Sequence, residues 1–150
     1  MSVTMEDVRR ALDPDEVDYP EASRLGPDAL PHLMTLVQEA EPGLAAKAAY
    51  LAGAIEGEQS ADIVAAAATN GDARVRVAAA QAAALLPPSS ASRVLGSLML
   101  DDDQGVQKVA LRSVSAGLSP EVRDKVAEVS ENSSDPALRE IAAEALGRLR

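Results

Sequence analysis

A single histidine, His32, and no cysteine leave this 150-residue chain few ways to perform chemistry. A nitrogen or sulfur metal site needs a second His or Cys, and a general base needs a positioned partner. His32 is therefore expected to be a surface or capping residue in the first turn of a helix. Two acidic clusters invite a calcium reading: Asp101-Asp102-Asp103 and Asp13-Pro14-Asp15-Glu16-Val17-Asp18. A calcium loop of the helix-loop-helix kind wants an oxygen ligand at its fifth position, Gly at the sixth and Glu at the twelfth. Counted from Asp13, those positions hold Val17, Asp18 and Arg24; counted from Asp101, they hold Gly105, Val106 and Arg112. Neither cluster fits, and Asp101 to Asp103 are expected to cap a helix and complement its dipole. No Gly-x-Ser-x-Gly elbow, Gly-Lys-Ser/Thr phosphate loop or dinucleotide fingerprint occurs. The expectation is a protein with no catalytic residues, no cofactor and no metal site.

Charge and composition narrow the partner. With 24 acids against 14 bases the formal charge is −10. That opposes general binding to nucleic acid or anionic membrane, which relies on basic surface. No apolar run reaches the roughly 18 residues of a membrane helix, and no leader is recognisable at Met1, so a cytoplasmic protein is expected. Eleven Arg against three Lys, with high Ala, matches a GC-rich bacterial coding bias. Of 70 apolar residues 30 are Ala, 17 Leu and 14 Val, while Phe and Trp are absent. A core of that kind depends on many small contacts between closely approaching backbones.

The elements that would hold any binding residues emerge from self-comparison. Glu41, Asp72, Asp103 and Asp135 lie 31, 31 and 32 residues apart, each followed three residues later by Leu or Val and then by an apolar stretch that is mostly Ala-rich. Ala48, Ala79, Ala110 and Ala142 keep the register, as do Leu33, Val64, Leu95 and Val126 upstream. Two apolar stripes per period, each at helical spacing, predict two helices per repeat, A and B. The four acids are N-cap candidates, and Pro42 and Pro136 suit a first helical position. Short connections predict antiparallel packing of consecutive helices. Helix A2 (61–69) is almost wholly apolar and is expected to be buried between neighbours; A4 (120–131) is largely charged. Thr4 caps a predicted helix from Met5 to Leu12, followed by a loop and a short helix from Pro20 to Leu25 stopped by Gly26. The reading is a single domain over 1–150, an N-terminal cap (2–26) and repeats at about 27–56, 57–87, 88–118 and 119–150. Its cap-like ends predict a complete unit.

The segments Asp72-Ala-Arg-Val-Arg76-Val-Ala-Ala and Asp135-Pro-Ala-Leu-Arg139-Glu-Ile-Ala-Ala-Glu-Ala-Leu-Gly resemble the HEAT repeat. They are most similar to its short bacterial form, named for phycobilisome-lyase (PBS lyase) HEAT-like repeats. Leu25-Gly-Pro-Asp-Ala-Leu-Pro-His-Leu33 is similar to a frequent first-helix start of that family. The resemblance covers about residues 26–150. It implies an all-α, right-handed α-solenoid of about four helix pairs, B helices lining a concave face that binds partners. It also implies an Asp/Arg ladder along the stack, with Arg76 and Arg139 in place and Ala45 and Gln107 breaking alternate rungs. The metal-hydroxylase branch uses repeated His-Glu pairs, which this chain lacks. The DNA-glycosylase branch needs a basic, aromatic-bearing groove, and no pigment-handling residues of a bilin lyase are recognisable.

The B-helix register places Ala46, Val77, Lys108 and Glu140 in one outward row and Tyr50, Gln81, Arg112 and Glu144 in a second, with Arg74 beside them. Tyr and Arg are enriched at binding hot spots. The expected partner strip is thus Tyr50, Arg74, Val77, Gln81, Lys108, Arg112 and Glu144. The reading is a non-catalytic protein-binding scaffold, monomeric or weakly dimeric, that takes another protein and not nucleic acid. An alternative uses acid: residues 1–41 carry a net −7, and Glu41, Asp72, Asp101, Asp102 and Asp103 form an expected acidic rim. A chain of that kind would grip a basic partner, as small acidic immunity-type proteins mask nucleases. An accessory lyase or other enzyme acting on a small ligand is the third reading, and a deep, enclosed apolar pocket would favour it.

Overall fold

A computed structural model describes residues 2–149. Helix α1 (Met5–Leu12) opens with a reciprocal cap: the Asp7 N–H donates to Thr4 Oγ1 and the Thr4 N–H to Asp7 Oδ2, each at 3.1 Å. After the acidic loop come α2 (Tyr19–Ala22) and two 3-10 turns at Ser23–Leu25 and Pro27–Ala29. Gly26 joins those turns at φ +76°, a conformation that side-chain-bearing residues avoid. The rest alternates as expected: α3 (Leu30–Glu39), α4 (Pro42–Ala54), α5 (Ser60–Ala68), α6 (Ala73–Ala83), α7 (Pro88–Leu98), α8 (Gln104–Arg112), α9 (Pro120–Asn132) and α10 (Pro136–Arg148). Glu41, Asp72, Asp103 and Asp135 are the N-caps of α4, α6, α8 and α10, their carboxylates accepting first-turn N–H groups. No strand occurs among the described residues, and none of their helices is long and apolar enough to cross a membrane.

The helices pack in two rows. Along the even row, α4 lies against α6, α6 against α8 and α8 against α10, each more closely than its counterparts in the odd row α3, α5, α7, α9. The even row is thus the more closely packed side of the stack, and is called the inner row. Alanine explains the tightness. Ala48, Ala79, Ala110 and Ala142, one per even helix, are fully buried, as are Ala45, Ala49, Ala52, Ala82 and Ala83. At Gly53 the two backbones come so near that an added Cβ would stand 2.8 Å from the Ala82 carbonyl oxygen. The odd row contributes most of the larger fully buried side chains, including Leu33, Leu36, Ile63, Leu95 and Leu98, each stabilising by about 1.5–3 kcal/mol through burial.

Polar side chains tie the stack at its edges. Arg76 donates Nε to Asp101 Oδ2 at 2.9 Å and Nη1 to the Asn70 carbonyl at 2.9 Å, in a pair whose side chains are only 18% and 12% exposed. The ladder that the family resemblance implies thus has a charged rung here. Its acid is Asp101, two residues before the next N-cap, rather than the cap itself. Gln107 turns back to the Met99 carbonyl at 3.3 Å, and Arg139 holds the Ser133 carbonyl at 2.6 Å. Arg148 of α10 donates to the carbonyls of Leu111 (2.7 Å), in the last turn of α8, and of Val114 (3.2 Å), just beyond it. That helix stops at Arg112, and Gly117 (φ +94°) falls in the irregular turn after it.

Two expectations need correction. His32 is neither on the open surface nor a helix cap: it is part-buried, and its Nε2–H donates to the Val3 carbonyl at 2.8 Å, tying down the segment before α1. Helix α5 is buried on one side only. Ser60, Ile63, Val64 and Ala67 face the core, but Ala65 is exposed, because the outer row leaves a shallow apolar groove between α5 and α7.

Candidate functional site

On the inner row, a cleft of about 690 Å³, open to solvent, crosses α4, α6 and the end of α8. Five of the seven expected strip residues meet there: Tyr50 from α4, Arg74, Val77 and Gln81 from α6, and Arg112 from α8. They converge because positions 31 residues apart fall on equivalent faces of neighbouring helices. Lys108 and Glu144 do not line it. Lys108 sits one turn earlier on α8, and Glu144 belongs to α10, beyond the reach of the cleft.

Three lining residues escape the repeat argument. Tyr19, from α2, meets Tyr50 edge to face with ring centroids 4.6 Å apart and lines the cleft beside it. It lies outside the repeats, so no register points to it. Lys47 occupies the column continued by the buried Ala78; its ammonium donates to the Leu12 and Pro14 carbonyls at 3.1 and 2.9 Å, fastening the acidic loop to α4. Leu85, just beyond α6, is 48% exposed in the cleft wall, and only the chain's path after Ala83 turns it outward.

Burial, with Tyr50 adding to it, pushes the Tyr19 phenol above its ordinary value. Hydrogen bonds from Arg74 hold Asp72 below the usual carboxylate range; the pair meets at 3.0 Å. The Thr4 backbone N–H does the same for Asp7.

The expected acidic rim is largely structural. Glu41 accepts from the Gly43 and Leu44 N–H groups at 2.7 Å each, and Asp72 from the Arg74 N–H at 2.8 Å. Asp103 accepts from the Val106 N–H at 3.1 Å, while Asp101 holds Arg76 and the Asp103 N–H. Asp102 is exposed. No group of three or more potential metal ligands occurs among the described residues.

These features define a class: a helical stack built from paired helices, with an open cleft along its inner row. A family model for HEAT repeats matches residues 61–147, more than half of the chain, and the protein belongs to the HEAT-repeat family. The match begins in α5, although α3 and α4 continue the same packing. No curated protein matches the chain.

Proposed function

We propose that the protein is a non-catalytic interaction module that docks another protein in the cleft formed by Tyr50, Arg74, Val77, Gln81 and Arg112. HEAT repeats commonly mediate protein–protein interaction. The observation carrying the assignment to this face is the convergence of residues from three helices on one open cleft. An enclosed pocket would favour a small-ligand enzyme, and this cleft is open to solvent. The lone histidine, moreover, is engaged by the Val3 carbonyl. In the same proposal, the eight helices from α3 to α10 are four pairs of a right-handed superhelix of the short bacterial PBS lyase-like type, acting in the cytoplasm. The Arg-over-Lys bias and the Asp72 and Asp135 motifs support that subtype.

The test is affinity capture from the native lysate with the wild-type chain and with Leu85→Glu, which puts a charge into the exposed cleft wall. A partner held by wild type and lost with the variant, at unchanged helicity, is the expected result. A partner held equally by both overturns the assignment of this face.

A further inference from the structure

The cleft differs electrostatically from the molecule around it. The whole chain has 24 acids against 14 bases. The residues lining the cleft include three cations, Lys47, Arg74 and Arg112, and no carboxylate. Arg74 shares its charge with Asp72. Among the described residues, no carboxylate lies within ion-pair distance of Arg112 or Lys47. Arg112 is exposed and open to a partner. Beside these charges stand apolar surfaces, Leu85, Val77 and the Tyr19–Tyr50 pair, with the exposed Gln81 amide between them.

Dimensions select the occupant. Three helices packed about 8–10 Å apart give a path of roughly 20 Å, which an extended peptide of about six residues spans at about 3.3 Å each. Charge then selects against a polyanion. Asp13, Asp15, Glu16 and Asp18 are exposed on the loop that Lys47 fastens beside the cleft. Within a Debye length of about 8 Å this fence repels a strand bearing one phosphate per nucleotide, whereas a peptide with a few carboxylates can place them at Arg112, away from the loop. Building on the cleft assignment above, we propose that the occupant is an extended acidic peptide segment of a partner protein, its carboxylates on Arg112 and an apolar side chain between Leu85 and the tyrosine pair.

The test is amide chemical-shift titration of the labelled full chain. The probes are an end-blocked hexapeptide of four glutamates and two leucines, the same peptide with lysines for glutamates, and a short oligothymidylate. The acidic peptide is expected to shift the Tyr50, Gln81 and Arg112 amides and to bind about threefold or more weakly when salt rises from low to physiological strength. Arg112→Glu should weaken it by about fivefold or more, and Lys108→Glu, outside the cleft, by less. Replacing Asp15 by Asn and Glu16 by Gln should tighten it. The proposal is overturned if the acidic peptide leaves those amides unmoved, if the lysine peptide binds as well, if Arg112→Glu changes nothing, or if the oligothymidylate binds more tightly. The two readings fail separately. A native partner lost with Leu85→Glu but indifferent to salt and to Arg112→Glu keeps the cleft and removes its acidic ligand.

Discussion

Gly53 gives the sharpest test of how this stack is held together, because two effects predict opposite signs. Gly in a helix interior costs about 1 kcal/mol relative to Ala, so on propensity alone Gly53→Ala stabilises by about that amount. The packing says otherwise. The new Cβ would lie 2.8 Å from the Ala82 oxygen and 2.9 Å from its Cβ, where ordinary contact begins at 3.4 Å. The obstruction includes backbone, which a rotamer change cannot move, so α4 and α6 must separate by about half an ångström along a seam of fully buried alanines. Overpacking of that kind costs about 1–3 kcal/mol. The net expectation is destabilisation of about 1 kcal/mol, or a fall in Tm of about 2–4 °C in a domain of this size. Gly147, in α10, is the internal control, since nothing lies within 4 Å of its added Cβ. Gly147→Ala should stabilise by about 0.5–1 kcal/mol. Urea unfolding followed by circular dichroism measures both. If Gly53→Ala stabilises as much as Gly147→Ala, the close approach of the inner helices is refuted.

Other outcomes follow from the edge contacts. Arg76→Ala should cost about 2 kcal/mol, between the values for exposed and buried pairs, because it strips Asp101 of its partner. A double-mutant cycle with Asp101→Asn should show coupling of about 1 kcal/mol or more, and additivity would refute the rung. Arg148→Ala should cost about 1–2 kcal/mol by leaving the Leu111 and Val114 carbonyls without their charged donor, measured by the same unfolding curves. Tyr19 is held above its ordinary value, so its contribution to stability is intact below pH about 10 and is lost as pH rises through the folded-state value. In Tyr50→Phe, an ultraviolet titration should find the remaining phenol still ionising above a free tyrosine; a midpoint at or below that of free tyrosine would mean Tyr19 is not buried.

The alternation of helices is written locally in the chain, because 31-residue spacing, capping acids and apolar stripes are short-range signals that tertiary contacts here reinforce. Every acid singled out as a B-helix cap is one, and the alanine column is buried. Five strip residues were legible for the same reason: a regular stack turns register into proximity. The features that arise only on packing lie where the repeat is interrupted. Tyr19 comes from a segment with no register, yet lines the cleft against Tyr50. The cleft ends before Glu144, and α8 stops at Arg112, where Arg148 reaches across from α10 to hold the Leu111 and Val114 carbonyls. The histidine's partner, the charged rung between Arg76 and Asp101, and the outward turn of Leu85 likewise arise from where the chain ends or bends its helices. Periodicity specifies which face of a helix points inward; only the packed chain specifies which neighbours meet that face, and where the row stops.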